Sequence, residues 1–168
     1  MPRPSRGPRS DAPPAAAFRH ILVLCEGNYC RSPMAEFLLK ACLGPGVVVE
    51  SAGLGALHGA AAAPQARALM AERGLDIASH RARQLTAQGA LAADLILVMD
   101  RRQKARCEAL VPSARGRIFL LGQWLPADEQ EIADPYRRGA EAFRAALNHI
   151  DHSVTAWLPH LLQAERPA

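Results

Sequence analysis

A short aliphatic run, residues 21–24, passes through a loop directly into the start of a helix, and this transition constrains the fold more than any other stretch. The run is typical of a buried parallel strand. Ser32, Pro33 and Glu36 predict an N-cap, a proline at the first helical position and an acidic first turn. A strand that turns directly into a helix aims backbone N–H groups and the helix's positive end at the loop between them. We therefore expect residues 25–32 to hold an oxyanion.

This loop carries a candidate nucleophile, Cys25, and a candidate anion-binding cation, Arg31. A thiol at a helix N-terminus, among backbone donors and beside a guanidinium, loses its proton easily, so we expect a thiolate at neutral pH. The planar guanidinium is suited to bidentate hydrogen bonding with phosphate. Together the two residues predict attack on a phosphate ester through a cysteinyl-phosphate intermediate.

The residues around this pair favour the same chemistry. The hydroxyl of Ser32 can donate to the thiolate, Gly27 permits a tight turn, and Asn28 tolerates left-handed geometry and can anchor the loop through its amide. A cysteine and an arginine at this spacing also occur together by chance, but here the strand, the Gly-Asn pair and the Ser-Pro helix start accompany them. The predicted phosphate-binding set, backbone amides included, is Glu26, Gly27, Asn28, Tyr29, Cys30, Arg31 and Ser32.

Strands alternate with helices along the rest of the chain. Further strands are predicted at residues 47–50, 94–99 and 117–121, and helices at 33–43, 64–73, 101–110 and 139–162, with a short helix after Thr86. Pro159 is expected to kink or end the last helix. This order predicts an α/β fold with a doubly wound, four-stranded parallel sheet, helices on both faces, and a ligand site at the carboxyl ends of the strands.

Composition indicates one domain with a tail. The chain has 168 residues, 49% of them hydrophobic, which is enough for one sizeable core, and we assign the domain to residues 19–165. Residues 1–18 are rich in proline, alanine and arginine and are predicted to be disordered. They lack the apolar core of a signal peptide, and no later segment reaches membrane-spanning length, so we expect a cytoplasmic protein.

Charge and cysteine content exclude several other classes. Part of the net charge of +4 comes from arginines in the tail, so the charge does not indicate a nucleic-acid partner. The cysteines at positions 25, 30, 42 and 107 fit a reducing compartment and lack the spacing of a zinc site. We therefore expect neither a metal nor another cofactor.

Residues 25–33, C-E-G-N-Y-C-R-S-P, resemble the phosphate loop of the low-molecular-weight protein tyrosine phosphatases. The similarity extends from about Arg19 to about Leu162. Residues 51–57, 80–84 and 131–137 resemble in particular the bacterial branch that dephosphorylates tyrosine autokinases controlling capsule and exopolysaccharide export. The resemblance implies a phosphatase acting on a phosphotyrosine protein, with such an autokinase as partner.

The resemblance also implies roles outside the loop. Asp134, in an Asp-Pro-Tyr segment that would fold over the phosphate, is implied as the general acid that protonates the leaving oxygen and then the base that activates water. On its own, Asp-Pro is an ordinary turn dipeptide. Leu57 and Tyr136 are implied as walls for the substrate. Ser51 and His80 are implied as a supporting pair that hydrogen-bonds Asn28.

Two residues depart from the family's usual pattern. Glu26 replaces an aliphatic residue, and a carboxylate beside a dianion is expected to weaken binding unless it points to solvent or faces a cationic substrate flank. Tyr29 replaces an isoleucine. The family's arginine-phosphatase branch carries a threonine there, so the bulky Tyr29 argues against that activity. Both departures bear on specificity rather than on reaction type.

Several alternatives remain open from sequence. An arsenate reductase shares this fold and loop, but its chemistry resembles a relay through two further cysteines in one flexible segment, where this chain has only Cys107. A non-catalytic phosphotyrosine-binding module would be expected to lack Cys25 or Asp134. Phosphatase activity on small phosphate esters also stays open, because the loop recognises the phosphate and only the walls recognise the rest of the substrate. Cys30 is either a partner for a reversible disulfide with Cys25 or a small buried residue beneath the loop. The oligomeric state is not predicted.

Overall fold

A parallel four-stranded sheet forms the centre of the molecule. The computed structural model describes residues 18–162, so residues 1–17 of the predicted tail and 163–165 of the predicted domain lie outside the described residues. The sheet has the order β2-β1-β3-β4, and its strands are β1 (His20–Cys25), β2 (Val48–Gly53), β3 (Leu95–Val98) and β4 (Ile118–Leu120). The predicted fold class is confirmed.

Helices cover both faces of this sheet. They are α1 (Arg31–Leu43), α2 (Pro64–Glu72), α3 (Ala87–Ala92), α4 (Arg101–Leu110) and α5 (Ala140–Leu161), with short 3-10 helices at Pro112–Ala114 and Ala127–Glu129. Side chains of β1 alternate between two apolar layers, because successive strand residues point to opposite faces. Ile21 and Val23 pack in the layer with α1, α2 and α5, whereas Leu22 and Leu24 pack in the layer with α3 and α4. No helix within residues 18–162 has the length and hydropathy needed to cross a bilayer.

The register of β1 and β2 determines where the site lies. The two strands pair in parallel, so Cys25 lies opposite Gly53 at the carboxyl end of the sheet. β2 continues to Gly53 rather than ending at residue 50 as predicted, because Ser51 and the two residues after it pair with the last three residues of β1. Gly53 is required there, since a Cβ atom would lie 2.8 Å from the carbonyl oxygen of Glu26.

The predicted start of the first helix is wrong. α1 begins at Arg31, and Cys30 rather than Ser32 occupies the N-cap position, with no side-chain cap hydrogen bond. The hydroxyl of Ser32 contacts Cys25 and Asn28 instead, so it is not available as a cap.

The last helix does not end at Pro159. α5 contains Pro159 in its last turn and continues to Leu161. Proline removes the donor that would pair with the carbonyl oxygen of Thr155. The turn is held instead by its buried side chains, Trp157 and Leu161. Pro159 therefore does not terminate the helix.

Candidate active site

The phosphate loop, residues 25–32, connects β1 to α1 at the carboxyl end of the sheet. Cys25 is 2% exposed, and its Sγ lies 3.0 Å from Oγ of Ser32. A hydroxyl at this distance can donate to a thiolate, and hydrogen bonds to charged groups are the strong ones. The contact therefore places a hydroxyl within hydrogen-bond distance of the candidate nucleophile.

Asn28 holds the loop in shape. It is fully buried and adopts a left-handed backbone conformation, with φ at 52°. Its Nδ2 donates to Ser32 Oγ at 2.8 Å and to Ser51 Oγ at 2.9 Å, and its Oδ1 accepts from the backbone N–H of Arg83 at 3.0 Å. Nε2 of His80 lies 2.8 Å from the Asn28 carbonyl oxygen. A strained conformation held by this many contacts is set before a ligand arrives.

A buried carboxylate supports this arrangement from behind. Ser51 Oγ donates to Oε1 of Glu36 at 2.6 Å, and the ammonium group of Lys40 donates to Oε2 at 2.6 Å. Glu36 is only 7% exposed. The sequence prediction treated Glu36 as an acidic first-turn residue and missed this role. The spacing of Glu36 and Lys40 indicates an ion pair, but nothing in the sequence indicates the contact with Ser51.

Arg31 joins the loop to the segment that carries Asp134. The side chain is 4% exposed, its Nη1 donates to the carbonyl oxygen of Ile132 at 2.7 Å, and its Nη2 lies 3.5 Å from Oδ2 of Asp134. Its Nε is buried and has no hydrogen-bond partner among residues 18–162. An unsatisfied buried donor costs about 1–3 kcal/mol. This donor belongs to a side chain that lines the cleft, where an oxyanion would satisfy it.

The acid segment, residues 132–138, is more open. Asp134 has a side chain 45% exposed, and its Oδ1 accepts from the backbone N–H of Tyr136 at 3.1 Å. The segment is anchored at its start, where the backbone N–H of Ile132 donates to the carbonyl oxygen of Met99 at 2.9 Å. Asp134 is therefore placed beside Arg31 while its carboxyl group remains accessible to water.

A second anchor, which the sequence prediction missed, lies just before this segment. The guanidinium of Arg101 contacts Oε1 of Glu131 at 3.0 Å and donates to Oε1 of Gln130 at 2.7 Å. The backbone N–H of Arg101 also donates to Glu131, at 3.1 Å. Arg101 is the first residue of α4, so these contacts fix residues 130–131, which precede the acid segment, to the start of that helix.

Aromatic and aliphatic side chains wall the cleft above the loop. The rings of Tyr29 and Tyr136 meet edge to face, with centroids 5.8 Å apart and an angle of 87°. Leu57 forms a third wall beside the two tyrosines. The side chains of Leu57 and Tyr136 are both partly exposed. The cleft, of about 120 Å³, is lined by Glu26, Gly27, Tyr29, Cys30, Arg31, Gly55, Leu57, Asp134 and Tyr136. Apolar walls above phosphate donors suit an aryl phosphate ester.

The carboxylate of Glu26 has a partner within the protein. It contacts the guanidinium of Arg106 at 2.5 Å, across 80 positions of sequence. Both side chains are partly exposed. The negative charge next to Cys25 is thus balanced by a cation of α4, which limits the repulsion of a phosphate dianion that the sequence had led us to expect.

The remaining cysteines differ from Cys25 in their surroundings. Burial, together with the nearby charges of Cys25 and Asp134, raises the pKa of Cys30 to about 12 despite the opposing effect of Arg31. Cys30 is therefore a neutral thiol at physiological pH. Burial also raises the pKa of Cys107 in α4, whereas Cys42 is exposed on α1. Among the described residues, no group of three or more histidine, cysteine, aspartate or glutamate side chains could hold a metal ion.

Comparison with known proteins identifies the family. The family model for low molecular weight phosphotyrosine protein phosphatase matches residues 20–168, and the chain belongs to this family. Its enzyme class is that of a protein-tyrosine phosphatase, a phosphoric monoester hydrolase, as the sequence predicted.

Individual relatives cover most of the domain. The chain is 50% identical to the probable low molecular weight protein-tyrosine-phosphatase EpsP of Ralstonia nicotianae over 86% of this chain and 97% of that protein. It is 43% identical to the phosphatase Wzb of Salmonella typhimurium over 83% of this chain and 92% of Wzb. The crystal structure of the Erwinia amylovora tyrosine phosphatase amsI is similar with a TM-score of 0.83 and 40% identity, covering 87% of this chain and 95% of amsI.

Proposed function

We propose that the protein hydrolyses phosphotyrosine in two steps, with Cys25 as nucleophile and Asp134 as general acid and then general base. One observation carries the assignment: Arg31 bridges the two groups, since it lies in the loop that starts at Cys25 and its Nη2 is 3.5 Å from Asp134. Arg31 and Asp134 both line the cleft, and Cys25 lies at the start of the same loop, at the carboxyl end of β1.

In the first step, the thiolate of Cys25 attacks phosphorus. The loop amides and the guanidinium of Arg31 bind the non-bridging oxygens, so the developing charge meets fixed donors. The S–P bond forms as the P–O bond to the tyrosine breaks. Asp134 donates its proton to the leaving phenolate oxygen, which would otherwise depart as a strongly basic anion.

In the second step, water releases the phosphate. The carboxylate of Asp134 takes a proton from water as that oxygen attacks phosphorus, and the S–P bond breaks with its electron pair returning to sulfur. The hydroxyl of Ser32, 3.0 Å from the sulfur, stabilises the departing thiolate. Ser51 and His80 act as positioning residues, because both contact Asn28 rather than the cleft.

For the substrate, we propose a phosphotyrosine protein, namely a tyrosine autokinase of exopolysaccharide production. The supporting observations are the resemblance of residues 51–57, 80–84 and 131–137 to that bacterial branch and the 50% identity to EpsP. A cytoplasmic location is part of the proposal, because a catalytic thiolate requires a reducing compartment. No nucleic acid is required as a partner.

The proposed chemistry is tested by hydrolysis of a phosphotyrosine peptide with a chelator present. Cys25→Ser is expected to abolish turnover, and Asp134→Ala to lower kcat by about 10²- to 10⁴-fold. Cys42→Ser, which changes an exposed cysteine outside the cleft, is the matched control and should retain activity. A wild-type protein that ignored phosphotyrosine but reduced arsenate with a thiol donor would overturn the assignment.

The proposed partner needs a separate test. Deleting the gene should increase phosphorylation of the autokinase's tyrosine-rich tail, measured with an anti-phosphotyrosine antibody. Reintroducing the wild type, but not Cys25→Ser, should reverse the increase. Unchanged tail phosphorylation would exclude this substrate while leaving the chemistry intact.

A further inference from the structure

A second depression borders the phosphotyrosine cleft on the side of α4. Its volume is about 320 Å³, against about 120 Å³ for the cleft, so it can receive a side chain. It is lined by Glu26, Arg31, Asp100, Arg102, Gln103, Arg106 and Asp134. Three of these residues, Glu26, Arg31 and Asp134, also line the cleft. A substrate with its phosphotyrosine in the cleft therefore brings neighbouring residues to this depression.

Most charged groups in the depression are already engaged. Glu26 is paired with Arg106, and Asp134 lies beside Arg31. The carboxylate of Asp100 accepts from the backbone N–H of Gln103 at 2.8 Å and caps α4.

Arg102 is the exception. Its side chain is exposed and forms no hydrogen bond or ion pair with another residue in the part of the chain that the structure describes. Its guanidinium is therefore free to bind an anion.

The position of Arg102 in α4 is unfavourable for the helix. Arg101 and Arg102 occupy its first two positions, and its first turn contains no acidic residue. The positive end of the helix dipole lies at this terminus, where cations are destabilising. The carboxylate cap of Asp100 and the contact of Arg101 with Glu131 offset this effect at the helix start, but Arg102 itself pairs with no carboxylate among residues 18–162. A cation here adds nothing to the stability of α4 and is available for binding.

We infer that the depression is a subsite for an acidic side chain next to the phosphotyrosine of the substrate, with Arg102 as its cationic partner. The inference rests on the proposed phosphatase function and specifies its substrate class. An aspartate or glutamate carboxylate would meet Arg102 and the positive end of α4 together. The carboxylates of Glu26 and Asp100 are already engaged, by Arg106 and by the start of α4 respectively, so they offer less to a cationic flank than Arg102 offers to an acidic one.

The test compares two peptides that differ only beside the phosphotyrosine, one with glutamate on both sides and one with glutamine. For the wild type, kcat/KM should be about two- to fivefold higher for the glutamate peptide, the size expected of a partly exposed ion pair. Arg102→Ala should bring the ratio close to one, and Arg102→Glu should invert it.

Arg67→Ala is the matched control. Arg67 is an exposed arginine of α2 that lines neither the cleft nor the depression. The variant makes the same change of net charge and should keep the wild-type ratio. If both alanine variants lost the preference for the glutamate peptide equally, the preference would come from the net charge of the protein rather than from Arg102, and the subsite would be overturned.

Two further outcomes would also overturn it. A wild-type ratio of one or below, with both peptides hydrolysed, would contradict the subsite but not the phosphatase. A wild type that hydrolysed neither peptide would contradict the proposed function and the subsite with it.

Discussion

The two halves of the active site, the phosphate loop and the acid segment, are built in opposite ways. In the loop, Asn28 is fully buried and Arg31 is 3% exposed, and the backbone conformation is held by hydrogen bonds with β2 and with residues 80–83. In the acid segment, Asp134 and Tyr136 are both more than 40% exposed, and the connections to the core are few.

The difference follows from what each half must do. Donors that stabilise a transferring phosphoryl group act best when they are already oriented and shielded from water. A general acid that becomes a general base must exchange protons with water, and the segment carrying it must admit the substrate. Burial suits the first task, and exposure suits the second.

The largest expected effect comes from breaking the buried half. Asn28→Ala removes the amide that ties Ser32, Ser51 and the Arg83 backbone together. We expect kcat/KM for a phosphotyrosine peptide to fall about 100-fold. The free energy of unfolding in urea should fall by about 2–4 kcal/mol, because buried donors and acceptors lose their partner.

Asn148→Ala is the control for this variant. Asn148 accepts an exposed hydrogen bond from Arg73, and neither residue lines the cleft. It should change activity and stability little. A loss of activity in Asn28→Ala at unchanged stability would show that the buried loop is not stabilised as a unit.

A smaller effect is expected from loosening the exposed half. Arg101→Ala removes the contacts with Glu131 and Gln130 that anchor the approach to Asp134. We expect kcat/KM, which reports the first step, to fall about tenfold for phenyl phosphate and much less for p-nitrophenyl phosphate, whose leaving group needs little protonation. Stability should change by less than about 1 kcal/mol, since the contacts are exposed.

Lys104→Ala is the matched control. Lys104, like Arg101, pairs with a glutamate, but its partner Glu108 lies within α4 and is not connected to the acid segment. It should affect the two substrates equally. An equal loss of kcat/KM on both substrates in Arg101→Ala would mean that the anchor does not act through protonation of the leaving group.

The smallest effect should come from the wall of the cleft. Tyr136→Ala removes an aromatic wall and its edge-to-face contact with Tyr29. We expect KM for the phosphotyrosine peptide to rise about threefold with little change in kcat or in stability. Leu110→Ala, at an exposed apolar residue of α4, is the control. A large fall in kcat instead would place Tyr136 in the positioning of the acid.

Much of the site could be predicted because it is local in sequence. The residues from Cys25 to Ser32 fall within one turn between a strand and a helix, so their chemistry follows from types and spacing. Asp134 and the supporting pair needed the family resemblance, because an Asp-Pro turn or a lone histidine indicates no chemistry by itself. The error at Ser32 arose because its hydroxyl is used by Cys25 and Asn28 rather than by the helix end.

The sequence by itself therefore determined the alternation of strands and helices, the parallel sheet, and the nucleophile and cation of the phosphate loop. Only the tertiary structure showed that Glu36 supports Ser51, that Arg101 anchors Glu131, and that Arg106 balances Glu26. These pairs are 15, 30 and 80 positions apart. Local preferences depend on neighbouring residues, whereas such pairs form only when the register of the sheet and the packing of the helices bring distant side chains together.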